Sequence, residues 1–329
     1  MTDRSGVADG SRPRLTCKVA FVGAGYMAAE HLKAFCDIPG VELSGIFSRT
    51  PARAEALAKK HGVGMTCSSI AELYQKTQAS LVVIAVSGLA VRAVSHECFG
   101  YPWTCLIEKP AGYNVAEAEA IAESARSAGR RTFVALNRRH YSSTQTVLQD
   151  LASNDEPRFI HVQDQEDAMG ALRSGQPKLV VENWMYANSI HVIDYFTMLG
   201  RGAVVEVQPC FRWNPDEPGF VAAKILFESG DMGLYQAVWN APGPWAVAVT
   251  TRSKRWEMRP LEQASFQLNG QRKLEPVTPH EWDRQFKPGL RRQAELAVRA
   301  AMSAASSDLP TAEDALRSMR LAQAIYQVT

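Results

Sequence analysis

The chain has 329 residues, and at roughly 150 residues per domain this length suggests two domains. Hydrophobic residues make up 46% and charged residues 21% of the sequence, a balance that excludes a disordered or low-complexity protein. The 36 Lys and Arg against 34 Asp and Glu leave a net charge of +2. This near-neutral balance gives no indication of a nucleic-acid or anionic-membrane partner.

The N-terminus and the cysteines bear on location. Residues 1–16 are polar and contain no apolar stretch, which is typical of a loose tail and not of a signal peptide. No apolar run approaches the roughly 18 residues that a membrane span requires. The 6 cysteines include no CxxC pair, a usage typical of reduced thiols. We therefore predict a cytoplasmic protein, and no metal site, since no Cys/His cluster has zinc spacing.

Short apolar runs alternate with amphipathic segments over residues 17–140. The predicted strands are 18–22, 41–47, 81–86, 104–107 and 132–136, and the predicted helices lie near 26–37, 51–61, 69–75, 89–98 and 114–128. Such alternation indicates an α/β domain whose parallel sheet is covered on both faces.

Residues 141–311 have a different pattern. The predicted elements are a helix near 142–153, a strand near 158–164, a loop containing Gly170, Gly175 and Pro177, a helix near 184–199, and strands near 203–213, 220–228, 232–239, 246–251, 255–259 and 264–268. Consecutive strands with few helices between them predict an α+β domain with a large open, mostly antiparallel sheet. Helices near 281–304 and 312–327 follow, and we predict that segment 312–329 packs back near the interface between the domains.

A glycine-rich turn follows the first predicted strand. Residues 23–28 read GAGYMA, a G-x-G-x-x-A pattern between a strand and a helix. Gly23 permits the tight turn, Gly25 lets the backbone approach a pyrophosphate, and Ala28 keeps helix and strand close. The helix N-terminus then faces the anion. The residues assigned to a dinucleotide at this turn are Gly23, Gly25, Tyr26 and Met27.

The end of the second strand bears on which dinucleotide binds. An NAD site has Asp or Glu there to hold the ribose diol, whereas residues 47–50 read FSRT. Ser48, Arg49 and Arg53 suit a 2′-phosphate through hydroxyl and guanidinium donors. Alternatively, both arginines are solvated surface charges and the backbone holds the ribose. We predict NADP as the cofactor, with NAD possible.

Further motifs extend over nearly the whole chain. Residues 106–110 read LIEKP at the end of a later strand, residues 137–139 read NRR, and residues 189–194 read SIHVID. Together with the glycine-rich turn and His31 on the first helix, these motifs resemble the glucose–fructose oxidoreductase / inositol dehydrogenase / MocA (Gfo/Idh/MocA) family. Segment 315–326 is similar to that family's last helix.

The resemblance implies roles for individual residues. Lys109 would bind the substrate hydroxyl and assist proton transfer, since an ammonium can stabilise a developing alkoxide. His191 would hydrogen-bond the reacting hydroxyl and act as acid or base. Asp194, one helical turn away, would either orient His191 or support the structure, and the peptide bond before Pro110 would be cis. We assign Ser87, Glu108, Lys109 and Asn137 to the cofactor site, and Lys109, Tyr186, Asn188 and His191 to the substrate site.

Two positions depart from the family pattern. Sugar-dehydrogenating members usually carry Asp four residues before the histidine, where this chain has Ala187. The family's histidine on the helix before the lysine strand is missing, since Val91 lies near its place and His96 falls elsewhere. These departures weaken the transfer of a polyol or inositol substrate, and they are compatible with a different sugar or with a lost activity.

The favoured function is an NADP-preferring oxidoreductase that transfers a hydride between nicotinamide C4 and a hydroxyl or carbonyl carbon of a sugar or sugar derivative. One alternative is a non-catalytic, dinucleotide-dependent regulator or binding protein of the same fold. Another is a reductase of an aldehyde, an imine or a tetrapyrrole. Trp239 or Trp245 could face a sugar ring, although packing on a sheet is the commoner role of such residues. The predicted partner is a small molecule, and the resemblance implies a homodimer or homotetramer formed through the open sheet face.

Overall fold

The computed structural model describes residues 16–328, so the predicted N-terminal tail lies outside the described residues except for Thr16. The first strands are β1 (Cys17–Val22), β2 (Val41–Phe47), β3 (Thr66–Cys67), β4 (Leu81–Ile84), β5 (Thr104–Glu108) and β6 (Thr132–Ala135). They form one parallel sheet in the order β3-β2-β1-β4-β5-β6. The helices between them are α1 (Tyr26–Cys36), α2 (Pro51–His61), α3 (Ile70–Thr77), α4 (Val91–Phe99) and α5 (Val115–Ser127). The predicted N-terminal Rossmann domain is confirmed.

The second sheet has eight strands within the described residues. They are β7 (Phe159–Glu166), β8 (Val204–Phe211), β9 (Phe220–Phe227), β10 (Met232–Trp239), β11 (Ala246–Thr250), β12 (Lys254–Met258), β13 (Ala264–Leu268) and β14 (Glu275–Pro276). Their order is β14-β13-β12-β11-β7-β10-β9-β8. Strand β7 lies between β10 and β11, which run in opposite directions, so it is parallel to β10 and antiparallel to β11. All other neighbouring strands of this sheet are antiparallel. The predicted large, mostly antiparallel sheet is confirmed.

The second half of the chain also contains helices α6 (Ser142–Ala152), α7 (Ala168–Arg173), α8 (Lys178–Glu182), α9 (Ile190–Leu199), α10 (Glu281–Gln285), α11 (Leu290–Met302) and α12 (Ala312–Tyr326). A 3₁₀ turn (Asn137–His140) follows β6, and a π-helical turn (Met185–Ser189) precedes α9. The segment predicted as a loop contains two short helices: Gly170 lies inside α7, whereas Gly175 and Pro177 lie in the connection between α7 and α8. Asp167 caps α7, since its side chain accepts a hydrogen bond from the backbone N–H of Gly170.

Two helices near the C-terminus pack against the Rossmann sheet. The predicted helix near 281–304 is interrupted at Gly289, whose φ of +76° suits glycine. After this break, α11 packs its buried face, including Leu290, Ala294 and Ala297, on α1 and the first sheet. Segment 290–302 therefore packs with the first sheet, although the sequence assigned it to the second domain. Helix α12 lies between α5 of the first domain and α9 of the second, so it contacts both domains.

Two sequence expectations concern single features. The Lys109–Pro110 peptide bond is cis, as the resemblance implied. None of the helices between residues 16 and 328 combines the length and apolarity that crossing a bilayer requires.

Candidate active site

The glycine-rich turn between β1 and α1 is shaped for an anion. Gly23 has a φ of +112°, and a Cβ at this position would collide with the carbonyl oxygen of Ala85, so only glycine fits. Gly25 is the N-cap of α1, and the space beside its Cα is open, with nothing within 4 Å of where a Cβ would lie. The first turn of α1 has neither a side-chain cap nor an acidic residue. Its free N–H groups therefore fit the pyrophosphate of a dinucleotide.

The residues predicted to select the cofactor lie at the end of β2. Arg49 and Arg53 are exposed, and neither has an ion-pair partner among residues 16–328. Ser48 is half-buried, and its Oγ accepts a hydrogen bond from the backbone N–H of Thr50 at 3.2 Å. Residues 47–53 contain no carboxylate. This edge of the sheet therefore carries two positive charges without ion-pair partners in the described residues. They lie at the position where an NAD site has Asp or Glu to bind the ribose diol.

Lys109 follows β5 and reaches across to the second domain. Its Nζ donates a hydrogen bond to the backbone carbonyl of Ala187 at 2.7 Å, so the π-helical turn fixes the position of the ammonium. Burial lowers the pKa of Lys109 to about 8, and the nearby charges of Arg138 and Lys287 act in the same direction, whereas Glu108 and Glu166 oppose the shift. Lys109 can therefore gain and lose a proton near physiological pH.

Glu108 is turned toward α1. Its Oε1 lies 2.6 Å from Nε2 of His31, and the two residues are 6% and 0% exposed. This buried pair joins the helix that carries the glycine-rich turn to the strand that carries Lys109. The carboxylate assigned to the cofactor site thus has a partner within the protein.

His191 lies on α9, four residues after Ala187. It is buried, its ring centroid is 6.1 Å from that of Trp245, and its Nδ1 has no hydrogen-bond partner within the described residues. Burial lowers the pKa of His191 well below its usual range, and the positive charges of Arg138, Lys109 and Lys287 lower it further. The imidazole is therefore neutral at pH 7, with a ring nitrogen that can accept a hydrogen bond.

Asp194 does not orient His191. Its carboxylate accepts hydrogen bonds from Arg139 Nε at 2.8 Å, Arg139 Nη2 at 2.7 Å and Ser318 Oγ at 2.6 Å. These contacts join the turn after β6, helix α9 and helix α12. Of the two roles left open by the sequence, the structure supports the one in the scaffold.

A buried carboxylate pair lies beneath the π-helical turn, and no sequence pattern indicated it. Glu166 accepts hydrogen bonds from Trp184 Nε1 at 2.7 Å, Asn188 Nδ2 at 2.8 Å and Ser189 Oγ at 3.0 Å. Burial and the nearby Asp164 raise the pKa of Glu166 well above its usual range. Asn188, which was assigned to the substrate site, thus uses its amide N–H to hold this turn in place.

Other predicted site residues lie in varied surroundings. Tyr186 is 1% exposed in the second domain's core, so its side chain presents no open surface to a substrate. The buried Asn137 donates from Nδ2 to the carbonyl of Pro288 at 3.0 Å, and Ser87 is exposed after β4. His96 pairs with Ser124 Oγ at 2.8 Å on the outside of α4. Tyr26 is 67% exposed beside the glycine-rich turn, where Met27 is half-buried.

Three residues near the catalytic candidates were not assigned from the sequence. The Arg138 guanidinium lies over the Trp245 ring, with its carbon 4.6 Å from the ring centroid. Lys287 lies over the Tyr26 ring at 5.6 Å. Trp245 also borders a cavity of about 450 Å³. Arg138 belongs to the quoted NRR motif and Trp245 was considered as a sugar-facing residue, but no sequence pattern indicated Lys287.

Comparison with known proteins agrees with the predicted Rossmann domain. Residues 17–136 match the family described as an oxidoreductase family with an NAD-binding Rossmann fold, GFO_IDH_MocA. The match covers the N-terminal domain, and it is to the family that the sequence motifs resemble. Dehydrogenases and oxidoreductases of known sequence or structure resemble this chain along most of its length, at low sequence identity.

Three relatives illustrate this breadth. Inositol 2-dehydrogenase 2 of Paenarthrobacter aurescens is 22% identical over 94% of this chain and 95% of its own length. The 4-carboxy-2-hydroxymuconate-6-semialdehyde dehydrogenase of a Sphingobium strain is 21% identical over 69% of this chain and 73% of its own length. The structure of UDP-N-acetylglucosamine 3-dehydrogenase from Acidithiobacillus ferrooxidans has a TM-score of 0.77 and 16% identity, and covers 94% of this chain and 96% of its own. At this identity the structural likeness shows the fold alone.

Proposed function

We propose that this protein is a Gfo/Idh/MocA oxidoreductase that prefers NADP and transfers a hydride between nicotinamide C4 and a hydroxyl or carbonyl carbon of a sugar derivative. The observation that carries the proposal is the convergence of two catalytic candidates. Lys109, held by the carbonyl of Ala187, and the buried His191 come from different domains. Both lie on the side of the molecule where the glycine-rich turn and the N-terminus of α1 would bind a dinucleotide.

The protein's own residues would divide the proton chemistry. The nicotinamide supplies or accepts the hydride when it is bound. Lys109 binds the reacting oxygen and carries the exchanged proton, because its pKa of about 8 lies near the working pH. His191, which stays neutral, hydrogen-bonds the same oxygen and fixes its position. No carboxylate is needed at residue 187 in this scheme.

The names of the relatives bear on the substrate class. Two of them are dehydrogenases of inositol and of a nucleotide sugar, and a third is a dehydrogenase of a carboxylated semialdehyde. A test therefore incubates the purified protein and NADP⁺ or NADPH with sugars, keto-sugars and aldehydes, and follows the absorbance of the reduced nicotinamide. Cofactor binding without turnover of any compound would favour the non-catalytic alternative.

Cofactor preference can be tested at Arg49. Because its exposed guanidinium has no ion-pair partner in the described part of the chain, it is free to bind a 2′-phosphate with a charge-assisted hydrogen bond. Arg49→Ala should therefore weaken NADPH binding about ten- to a hundredfold and leave NADH binding nearly unchanged. Calorimetric titration measures both, and Arg272→Ala, at an exposed position of the second domain, is the control. Equal affinities of the wild type for NADPH and NADH would contradict the assignment.

The protonation of Lys109 predicts opposite pH profiles for the two reaction directions. Its amine is charged below a pKa of about 8, and alcohol oxidation needs the neutral amine as proton acceptor. We expect kcat/KM for oxidation to rise as the pH passes through that value, and kcat/KM for reduction to fall. In Lys109→Arg the inflection should vanish, because a guanidinium does not titrate in this range. An unchanged inflection in this variant would assign the titration to another group.

The oligomeric state stays a prediction. Large apolar side chains on the edge of the second sheet are exposed, with Val205 at 59% and Phe211 at 58%. A homodimer or homotetramer formed through this sheet would cover them. Light scattering after size-exclusion chromatography should give twice or four times the monomer mass, and Phe211→Glu should lower it. A wild-type monomer at micromolar concentration would contradict the prediction.

A further inference from the structure

Arg138 lies in the 3₁₀ turn after β6 and points a guanidinium at the candidate active site. Its carbon is 4.6 Å from the Trp245 ring centroid, and the same ring is 6.1 Å from the His191 ring centroid. Trp245 donates its own N–H to the carbonyl of Gln165 at 2.9 Å. This bond fixes an indole that neighbours both the arginine and the histidine.

The guanidinium of Arg138 has no acidic partner. Within residues 16–328 its side chain forms no ion pair and no hydrogen bond, and its Nε is buried without a partner. The adjacent Arg139 differs, because both its Nε and Nη2 bind Asp194. A buried guanidinium N–H without an acceptor is costly, so an acceptor supplied by a ligand would stabilise the site.

The charges around Arg138 favour an anion. Arg138, Lys109 and Lys287 all lie close enough to His191 for their positive charges to act on it. Of the nearby acids, Glu108 is paired with His31, and Glu166 accepts three hydrogen bonds beneath the π-helical turn. Burial next to Asp164 favours the protonated form of Glu166. The space between the two domains' catalytic candidates therefore has surplus positive charge.

Trp245 also forms one wall of an adjoining cavity of about 450 Å³. Its polar lining includes Gln165, Asn188 and Gln176, together with the one acid Asp167. Pockets of this size hold small ligands. Trp245 is therefore a neighbour both of the Arg138 guanidinium and of this polar cavity.

We propose that Arg138 binds a carboxylate of the substrate, which narrows the substrate class to acidic sugars and related hydroxy or aldehyde acids. The inference rests on the proposed oxidoreductase function. A planar guanidinium with free N–H groups matches a carboxylate in a bidentate arrangement. Stacking on Trp245 holds that plane in one orientation without consuming its donors.

The test uses pairs of compounds of similar shape in which a carboxylate is replaced by a neutral carboxamide. D-glucuronate, D-galacturonate and L-tartrate are each compared with the corresponding neutral amide, by calorimetric titration into the protein saturated with NADP⁺ or NADPH. Wild type should bind at least one acid about tenfold or more tightly than its amide. Arg138→Gln should abolish that preference, Arg138→Lys should retain part of it, and Arg272→Gln should leave it unchanged.

Steady-state kinetics separate recognition from chemistry. For an acid that is turned over, Arg138→Gln should raise KM with a much smaller change in kcat, since the carboxylate contact is made equally in the ground and transition states. Unchanged NADPH affinity and thermal unfolding of the variant show that the site is intact.

The outcomes distinguish the two proposals. If no acid is preferred over its amide, or if Arg138→Gln keeps the preference, carboxylate recognition by Arg138 is wrong. Turnover of neutral sugars with an unchanged KM in Arg138→Gln overturns this inference and leaves the oxidoreductase function standing. Cofactor binding without turnover of any acid or neutral compound would instead count against the proposed function, while a charge preference in binding would still support the role of Arg138.

Discussion

Replacement of Lys109 by alanine should lower kcat at least about a hundredfold, because a positioned acid or base usually contributes about 10²–10⁴-fold. The substitution removes the ammonium that binds the carbonyl of Ala187 and that is proposed to carry the exchanged proton. NADPH affinity should stay near normal, since the adenosine half of the cofactor would be bound by residues at the end of β2 and not by Lys109. The rate of nicotinamide absorbance change with a turned-over substrate measures the effect.

A matched control for Lys109→Ala is Lys76→Ala. Lys76 is 57% exposed and forms a surface pair with Glu72, so its loss should leave kcat unchanged. If Lys109→Ala retains most of the wild-type activity, the catalytic role assigned to Lys109 from the family resemblance is wrong. The non-catalytic alternative would then become the better explanation of a retained dinucleotide site.

The variant His191→Ala extends the same experiment. Since His191 and Lys109 are proposed to hold one substrate oxygen, the double variant should lose much less than the product of the two single effects. Independent, multiplicative losses would indicate that the two side chains act at different atoms.

The elements of the Rossmann half could be predicted because their signals are local. A glycine with positive φ, an apolar strand and a capped helix each depend on a few neighbouring residues, and β1, β2 and α5 lie close to their predicted bounds. Strand β3 was missed because its two residues carry no periodic pattern. Lys109 was selected through the fairly specific Glu-Lys-Pro element, and His191 through its place in residues 189–194 within the same resemblance. Their catalytic roles stay predictions.

The surroundings of those two residues could not be predicted in the same way. Arg138, Trp245 and Lys287 come from three distant segments, and only the packing of the second sheet and the loop before α11 brings them together. Glu166 has the alternating pattern of an ordinary strand residue, and its three donors lie 18 to 23 positions away. Burial of this carboxylate depends on where the π-helical turn lies, which helical periodicity does not reveal.

Helix α11 shows that the boundary between the two domains depends on tertiary packing. Its sequence is amphipathic and fits any apolar surface. The cluster formed by its buried side chains includes Phe21 and Phe35 of the Rossmann domain. The break at Gly289 turns the helix toward that surface, and Asn137 holds the loop before it through the carbonyl of Pro288.

Asp194→Ala should destabilise the fold by about 3–5 kcal/mol, the range measured when one partner of a buried ion pair is removed. Asp194 is 2% exposed, and its loss leaves the Arg139 guanidinium without the carboxylate that binds it bidentately. It also removes the acceptor of Ser318 on α12. A fall in the urea midpoint, followed by circular dichroism and by tryptophan fluorescence, measures the effect.

The exposed pair between Arg126 and Glu313 provides the control for Asp194. Its side chains are 64% and 49% exposed, so Glu313→Ala should leave the urea midpoint nearly unchanged. Because the Asp194 oxygens are taken by Arg139 and Ser318 and not by His191, the folded fraction of Asp194→Ala should keep most of its kcat. A variant with normal stability and a hundredfold lower kcat would reverse this assignment, since Asp194 would then act through His191 and not through the scaffold.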